Sequence, residues 1–288
     1  MSSQELYWLS VDTDDLGHLP NIRGHPTRSS TPMPEWRMKG YVASDELLSA
    51  MDNFHEWITE GDRHVRIPVT LFVIAEQLDC PAFAARLDRL AKMAGITIGC
   101  HGWSHRCWSA WPEDQAGFTE MLEAARNRIS EFAGSAWRPW FRAPGGYIAP
   151  WMAGPLAASG FRLDSSVNPT PLLRRKAGSG NHWGAVSDAM HRAGIVEREW
   201  HTLRPLLLPA LPATGPALTL PILGLLARNA WRRSTKVGRI ASEELVEDVD
   251  IPVTALYWHL LDHGRSAGCW SPPLHPSVEG IPSTKTND

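Results

Sequence analysis

Short apolar runs that stop abruptly at polar residues recur along the chain, at 7–11 (YWLSV), 69–74 (VTLFVI), 96–100 (ITIGC), 140–142, 161–163 and 254–258. Runs this short, bounded by polar residues, predict buried strands. Between them the apolar positions change period. Over 44–58, Leu47, Leu48, Met51, Phe54 and Trp57 recur near one face of a helix, and Ser44 stands where an N-cap belongs. Similar spacing predicts helices over 81–94, 113–133, 150–159 and 181–193. The stretch 21–41 (NIRGHPTRSSTPMPEWRMKGY) has too much Pro, Gly and Ser for either period and reads as a long loop. Strand alternating with helix predicts a parallel α/β protein.

In such proteins the chemistry gathers where the strands end. The polar residues that close the runs here are Asp12, His101, Arg142, Asp164 and His259. One such placement would mean little; five make a set.

Composition narrows the reading. The 288 residues are 43% hydrophobic and 20% charged, with a formal net charge of -3. That suits one large domain with a substantial core and gives no basic excess for nucleic acid. Fourteen tryptophans are many for this length; most belong in the core, while Trp36, Trp103, Trp108 and Trp111 fall in loops that could wall a pocket. Cys80, Cys100, Cys107 and Cys269 form no CxxC pair and read as reduced, buried thiols. The start, MSSQELYWLSVDTDD, has no secretory pattern, so a cytoplasmic location is expected. Residues 205–227 are apolar and uncharged but contain five prolines, which excludes a membrane-spanning helix and leaves an apolar loop, or a patch touching a membrane surface.

Two motifs carry metal chemistry. His101-Gly-Trp-Ser-His105 would place two imidazoles on one face if a helix began there. Asp12-Thr13-Asp14-Asp15 follows a buried strand, and neighbouring carboxylates can divide the work, one holding a metal and one taking a proton. The alternative for such an acidic turn is a cap for the next element. Asp14 is the chosen ligand, because side chains two apart on a strand point the same way; Asp15 is the alternative. Two imidazoles and a carboxylate leave a divalent ion open positions for water and substrate.

Five stretches, in order, resemble the polysaccharide deacetylase family (carbohydrate esterase family four, the NodB-like domain): SVDTDD, IGCHGWSH, FRAPGG, LDSSVNP and LYWH. They span residues 12–259. The spacing DxDD departs from the adjacent acid pair usual in the family and is similar to its DxD subgroup. The resemblance implies a single-domain α/β fold, a distorted (β/α) barrel of about seven parallel strands over 1–270, with the 21–41 loop inserted and 271–288 as a tail. It implies a metal triad of Asp14, His101 and His105, with Asp12 as the base and Arg142 orienting it. It further implies that Asp164 tunes His259, the general acid, and a backbone N–H near Gly145–Tyr147 is the expected second donor to the oxyanion. The implied cofactor is one divalent ion, zinc first, with cobalt, nickel or iron also suited to such ligands. The implied activity is removal of an N-acyl group from an amino sugar, in a polysaccharide or a lipid- or nucleotide-linked precursor. Hydrolysis of another non-peptide C–N bond (a sugar deformylase, imidase or ureide hydrolase) and a non-catalytic carbohydrate-binding relative are the alternatives.

Overall fold

The computed structural model describes residues 5–18, 40–59, 68–203, 208–209, 222, 225–226, 229 and 239–263. Most of the 21–41 loop and of 205–227, all of 271–288, Trp36 and Cys269 lie outside them.

The expected alternation is present. The strands are β1 (Leu6–Asp12), β2 (Val69–Val73), β3 (Ile96–Cys100), β4 (Trp137–Phe141), β5 (Leu163–Asp164), β6 (Val196–Glu197) and, near the end, β10 (Val253–His259). The helices between them are α1 (Asp45–Thr59), α2 (Pro81–Ala91), α3 (Gln115–Ala133), α4 (Ala153–Ala158) and α5 (Trp183–Arg192). Ser44 caps α1, its Oγ accepting the Leu47 N–H at 3.1 Å. Asp114 does the same for α3 at Gly117, 2.9 Å away.

The seven strands are parallel and run in the order β10-β1-β2-β3-β4-β5-β6. A parallel bridge between Trp200 and Ala255 joins the two ends of that order, through Ala255 N–H to Glu199 O at 2.8 Å and His201 N–H to Ala255 O at 2.9 Å. The sheet is therefore a barrel, distorted because β5 and β6 are only two residues each. Four further short elements lack a sequence signal: β7 (Thr202–Leu203) paired antiparallel with β8 (Leu208–Pro209), β9 (Arg239–Ile240) beside the start of β1, and α6 (Glu243–Glu247).

Strand side chains alternate between two buried layers. Leu9, Val11, Val69, Leu71, Val73, Ile96 and Ile98 join the larger core, which the helices cover. Trp8, Phe72, Trp140, Leu163, Ala255 and Tyr257 form a second cluster with Trp200. Gly99 is small because the space is taken: a Cβ there would stand 2.8 Å from the Phe72 ring.

Candidate active site

The set of polar residues read from the strand ends converges at the C-terminal rim. β1 ends at Asp12, which pairs in register with His259 at the end of β10. Thr13 then turns the chain. Its hydroxyl reaches the Phe72 carbonyl at 3.1 Å and Gln77 at 2.5 Å, and Gln77 donates back to the Thr13 carbonyl at 2.6 Å. That clamp holds Asp14 facing the end of β3. Asp14 Oδ1 lies 2.5 Å from His105 Nε2, and Asp14 Oδ2 lies 3.4 Å from His101 Nε2 and 4.0 Å from His259 Nε2. One ligand atom from each of Asp14, His101 and His105 falls within 4.8 Å of the others, and the same holds for Asp12, Asp14 and His259.

Asp15 is not part of this group. Its carboxylate accepts the Tyr41 hydroxyl at 2.6 Å, the Ser44 N–H at 2.9 Å, the Leu16 N–H at 2.6 Å and the Ser44 hydroxyl. The capping role weighed for the acidic turn belongs to Asp15.

The His pair is held differently from the expectation. No helix begins at His101; the segment is a loop, with Gly102 at φ 79° and His105 at φ 55°. A non-glycine residue in the left-handed region is uncommon and strained. The turn brings the imidazoles to 5.3 Å between centroids without a helical repeat. Each ring has a backing. His101 Nδ1 meets the Arg142 carbonyl at 2.8 Å, and a donor bond there leaves Nε2 with its lone pair toward Asp14. His105 stacks on His18, whose Nδ1 accepts the Asp15 N–H at 3.0 Å and whose Nε2 lies 3.2 Å from Glu76. His18 and Glu76 carried no sequence signal, since neither ends a strand.

Arg142 is fully buried in the barrel. Its guanidinium donates to Asp12 Oδ1 at 2.7 Å, to Ser10 Oγ at 2.7 Å, to Ser165 Oγ at 3.0 Å and to the Ser165 carbonyl at 2.9 Å. Aromatic faces surround it, Phe72 at 4.3 Å and Tyr257 at 5.1 Å. Fixed on four sides, it holds one oxygen of Asp12 and leaves the other, Oδ2, 4.0 Å from His101 Nε2.

The Asp164 oxygens accept the Ser166 hydroxyl at 2.7 Å and the Ser166 N–H at 3.1 Å, and the carboxylate faces Glu197. The carboxylate at the His259 backbone is Asp262, which accepts its N–H at 3.1 Å. Of the N–H groups at Gly145–Tyr147, those of Gly146 and Tyr147 are used within their own turn, on Ala143 and Pro144 carbonyls. Gly146 serves close packing instead: at φ 70°, a Cβ would meet the Trp200 ring at 2.9 Å. Of the loop tryptophans, Trp108 is buried against Phe118.

Burial by itself would raise the Asp14 carboxyl, but the charges of His105 and His101 outweigh it and hold it well below the usual carboxylate range. Burial opposes a proton on His101, yet Asp12 and Asp14 together raise it. Burial wins at His105, with His101 and His18 adding to it, and lowers its pKa. Burial pushes the Cys100 and Cys107 thiols up to about 12, in keeping with inert thiols.

A divalent ion fits these residues. Asp14 Oδ2 and His101 Nε2 are buried and make no hydrogen bond. Buried polar atoms are otherwise nearly always bonded, so two orphans facing each other beside a third donor mark a place for a ligand.

The polysaccharide deacetylase family model matches residues 63–162. Over those residues, about a third of the chain, the sequence is similar to the polysaccharide deacetylase family. Its members are hydrolases of carbon–nitrogen bonds other than peptide bonds, the class expected from the sequence. The matched span holds His101, His105 and Arg142; Asp12, Asp14, Asp164 and His259 lie outside it. No curated protein matches the chain. Among solved structures, a crystal structure described as a polysaccharide deacetylase from Mycobacterium smegmatis aligns at 15% identity and TM-score 0.44, over 93% of this chain and 82% of the other. A 4-alpha-glucanotransferase from Thermococcus litoralis aligns at 10% identity and TM-score 0.47, over 93% of this chain and 35% of its own. No helix among the described residues is long and apolar enough to cross a membrane.

Proposed function

We propose that the chain is a metal-dependent carbohydrate deacetylase that removes an N-acyl group, first of all N-acetyl, from an amino sugar. One observation carries the reading. A carboxylate and two imidazoles with orphaned ligand atoms converge beside a second carboxylate whose far side is held by a buried arginine.

Asp14, His101 and His105 would hold a divalent ion, which supplies Lewis acidity toward the amide carbonyl and toward water. Asp12 takes the proton of the attacking water through Oδ2, the oxygen that Arg142 leaves open. Arg142 keeps that carboxylate fixed in place. His259, across the register from Asp12 and 4.0 Å from Asp14, gives a proton to the departing amine. Asp262 fixes the His259 backbone, while Asp164 and Ser166 brace the Ala143 N–H, which donates to Ser166 Oγ at 2.7 Å, and so position the Arg142 loop.

The test is acetate release from N-acetylglucosamine oligomers by the full chain, before and after chelation and after zinc or cobalt is restored. Release that chelation stops and metal restores is the expected result. Release unaffected by chelation removes the metal from the reading, and no release from any N-acylated sugar removes the substrate class.

A further inference from the structure

Lys176 is a half-buried cation at the rim. It lies near the end of a 3-10 turn (Pro171–Ala177) that follows β5. Its Nζ donates to the Gly145 carbonyl at 2.6 Å and stands 5.2 Å from the Tyr147 ring centroid. Its own carbonyl accepts the Ser109 hydroxyl at 2.6 Å. Ser109 follows His105 by four residues and Gly145 follows Arg142 by three. Lys176 thus joins the loop of the imidazole pair to the loop of the buried arginine.

No carboxylate among the described residues pairs with it. Arg142 has Asp12, Lys92 has Asp88 and Arg86 has Asp52, while buried Arg198 spreads its donors over four backbone carbonyls; Lys176 has one. Burial lowers the Lys176 pKa, so its surroundings disfavour the charge. An ammonium taken partly from water with one neutral carbonyl as its acceptor is costly, and its two other N–H groups are open to a ligand or to water. Exposed Arg174 and Arg175 precede it in the same turn. An uncharged sugar has no use for such a group.

We propose that Lys176 is a specificity-determining residue that receives an anionic group of the substrate, a carboxylate or a phosphate, carried beside the N-acylated position. This rests on the amino-sugar reading above and narrows it to acidic or phosphorylated amino sugars.

Binding by the full chain is measured by calorimetry with N-acetylglucosamine, N-acetylglucosamine 6-phosphate and N-acetylmuramic acid. The charged sugars are expected to bind about tenfold or more tightly than the neutral one, the range of a charge-assisted hydrogen bond. The one that does so identifies phosphate or carboxylate. Lys176→Gln can still donate to Gly145 but lacks the charge, and should lose most of that preference; Lys92→Gln on the surface should keep it. Equal binding of all three sugars by the unaltered protein, or a preference that survives Lys176→Gln, overturns the proposal. The binding readout needs no turnover. A charge preference without hydrolysis upholds Lys176 and removes the deacetylase reading, and hydrolysis of the neutral sugar without a charge preference does the reverse.

Discussion

The two ends of the barrel are built on opposite terms. At the end where the strands begin, polar groups are few and matched. Trp8 Nε1 donates to Thr70 Oγ1 at 3.0 Å, Thr70 and Thr97 hydroxyls meet at 2.8 Å, and Trp140 Nε1 reaches Glu247 at 2.8 Å. A cavity there is walled by Trp8, Trp140 and the threonines, with the Arg138–Glu243 pair beside it. At the end where the strands finish, five charged or titratable side chains are crowded together, and two of their atoms have no hydrogen-bond partner. The first end is closed on itself and reads as stability. The second is incomplete, and incompleteness of a buried polar group is the mark of a binding site.

Arg142 lies between the two ends, so its loss should do most damage. Arg142→Met leaves the Asp12 carboxylate buried without its partner. Unfolding in urea should show a loss of about 3–5 kcal/mol. The part-exposed pair at the other end is the control: Glu243→Gln should cost about 1 kcal/mol or less, since solvent screens it. Similar losses at both sites would dissolve the distinction.

Asp12→Asn should lower turnover by about a hundredfold or more while leaving metal binding intact. If this variant loses the metal, Asp12 and Asp14 have exchanged roles.

The next effect is on stability against pH. His263 is buried, accepts the Trp258 indole N–H at 3.0 Å, and burial lowers its pKa to about 3. The unfolded chain binds a proton near pH 6.5 that the folded one refuses. His263 therefore lends stability above that pH and loses it progressively as pH falls toward 3, by about 1.4 kcal/mol per pH unit fully crossed. Glu197 has the opposite sign. Burial, with Asp164 beside it, raises its carboxyl well above the usual range. Stability is full below the unfolded value and declines as pH rises toward the folded one. Melting curves between pH 4 and 8 should show Glu197→Gln gaining on the unaltered protein as pH rises, and His263→Gln gaining on it as pH falls. Parallel profiles would contradict both assignments.

The smallest effect belongs to the matched end. Thr70→Val removes a hydroxyl shared by Trp8 and Thr97 and should cost about 1–3 kcal/mol in thermal or urea unfolding, with no change in metal content. A loss of metal there would couple the two ends.

Much of this was legible in the sequence because a parallel strand that ends in a charged residue is a strong local pattern. Asp12, His101, Arg142, Asp164 and His259 each close a strand or follow its last residue. What the sequence hid depends on partners far along the chain. Nothing near Asp15 shows that Tyr41 and Ser44 will occupy it. The four-residue spacing of the His pair suggested a helix, whereas positive φ at Gly102 and His105 makes the same approach by a turn. The strands β6 and β9 are two residues long, too short to display a period. Nor does anything in LDSSVNP show that the Ser166 hydroxyl, two residues on, will meet Asp164.

The account's central claim is that the incomplete end of the barrel is a metal site. Its most direct test is equilibrium dialysis of the purified, chelated chain against zinc or cobalt, with metal content read per chain in the unaltered protein, Asp14→Asn and His105→Ala. One ion per chain in the first, strongly reduced content in both variants, and unchanged content in Asp15→Asn is the predicted result. Full occupancy in His105→Ala would contradict it.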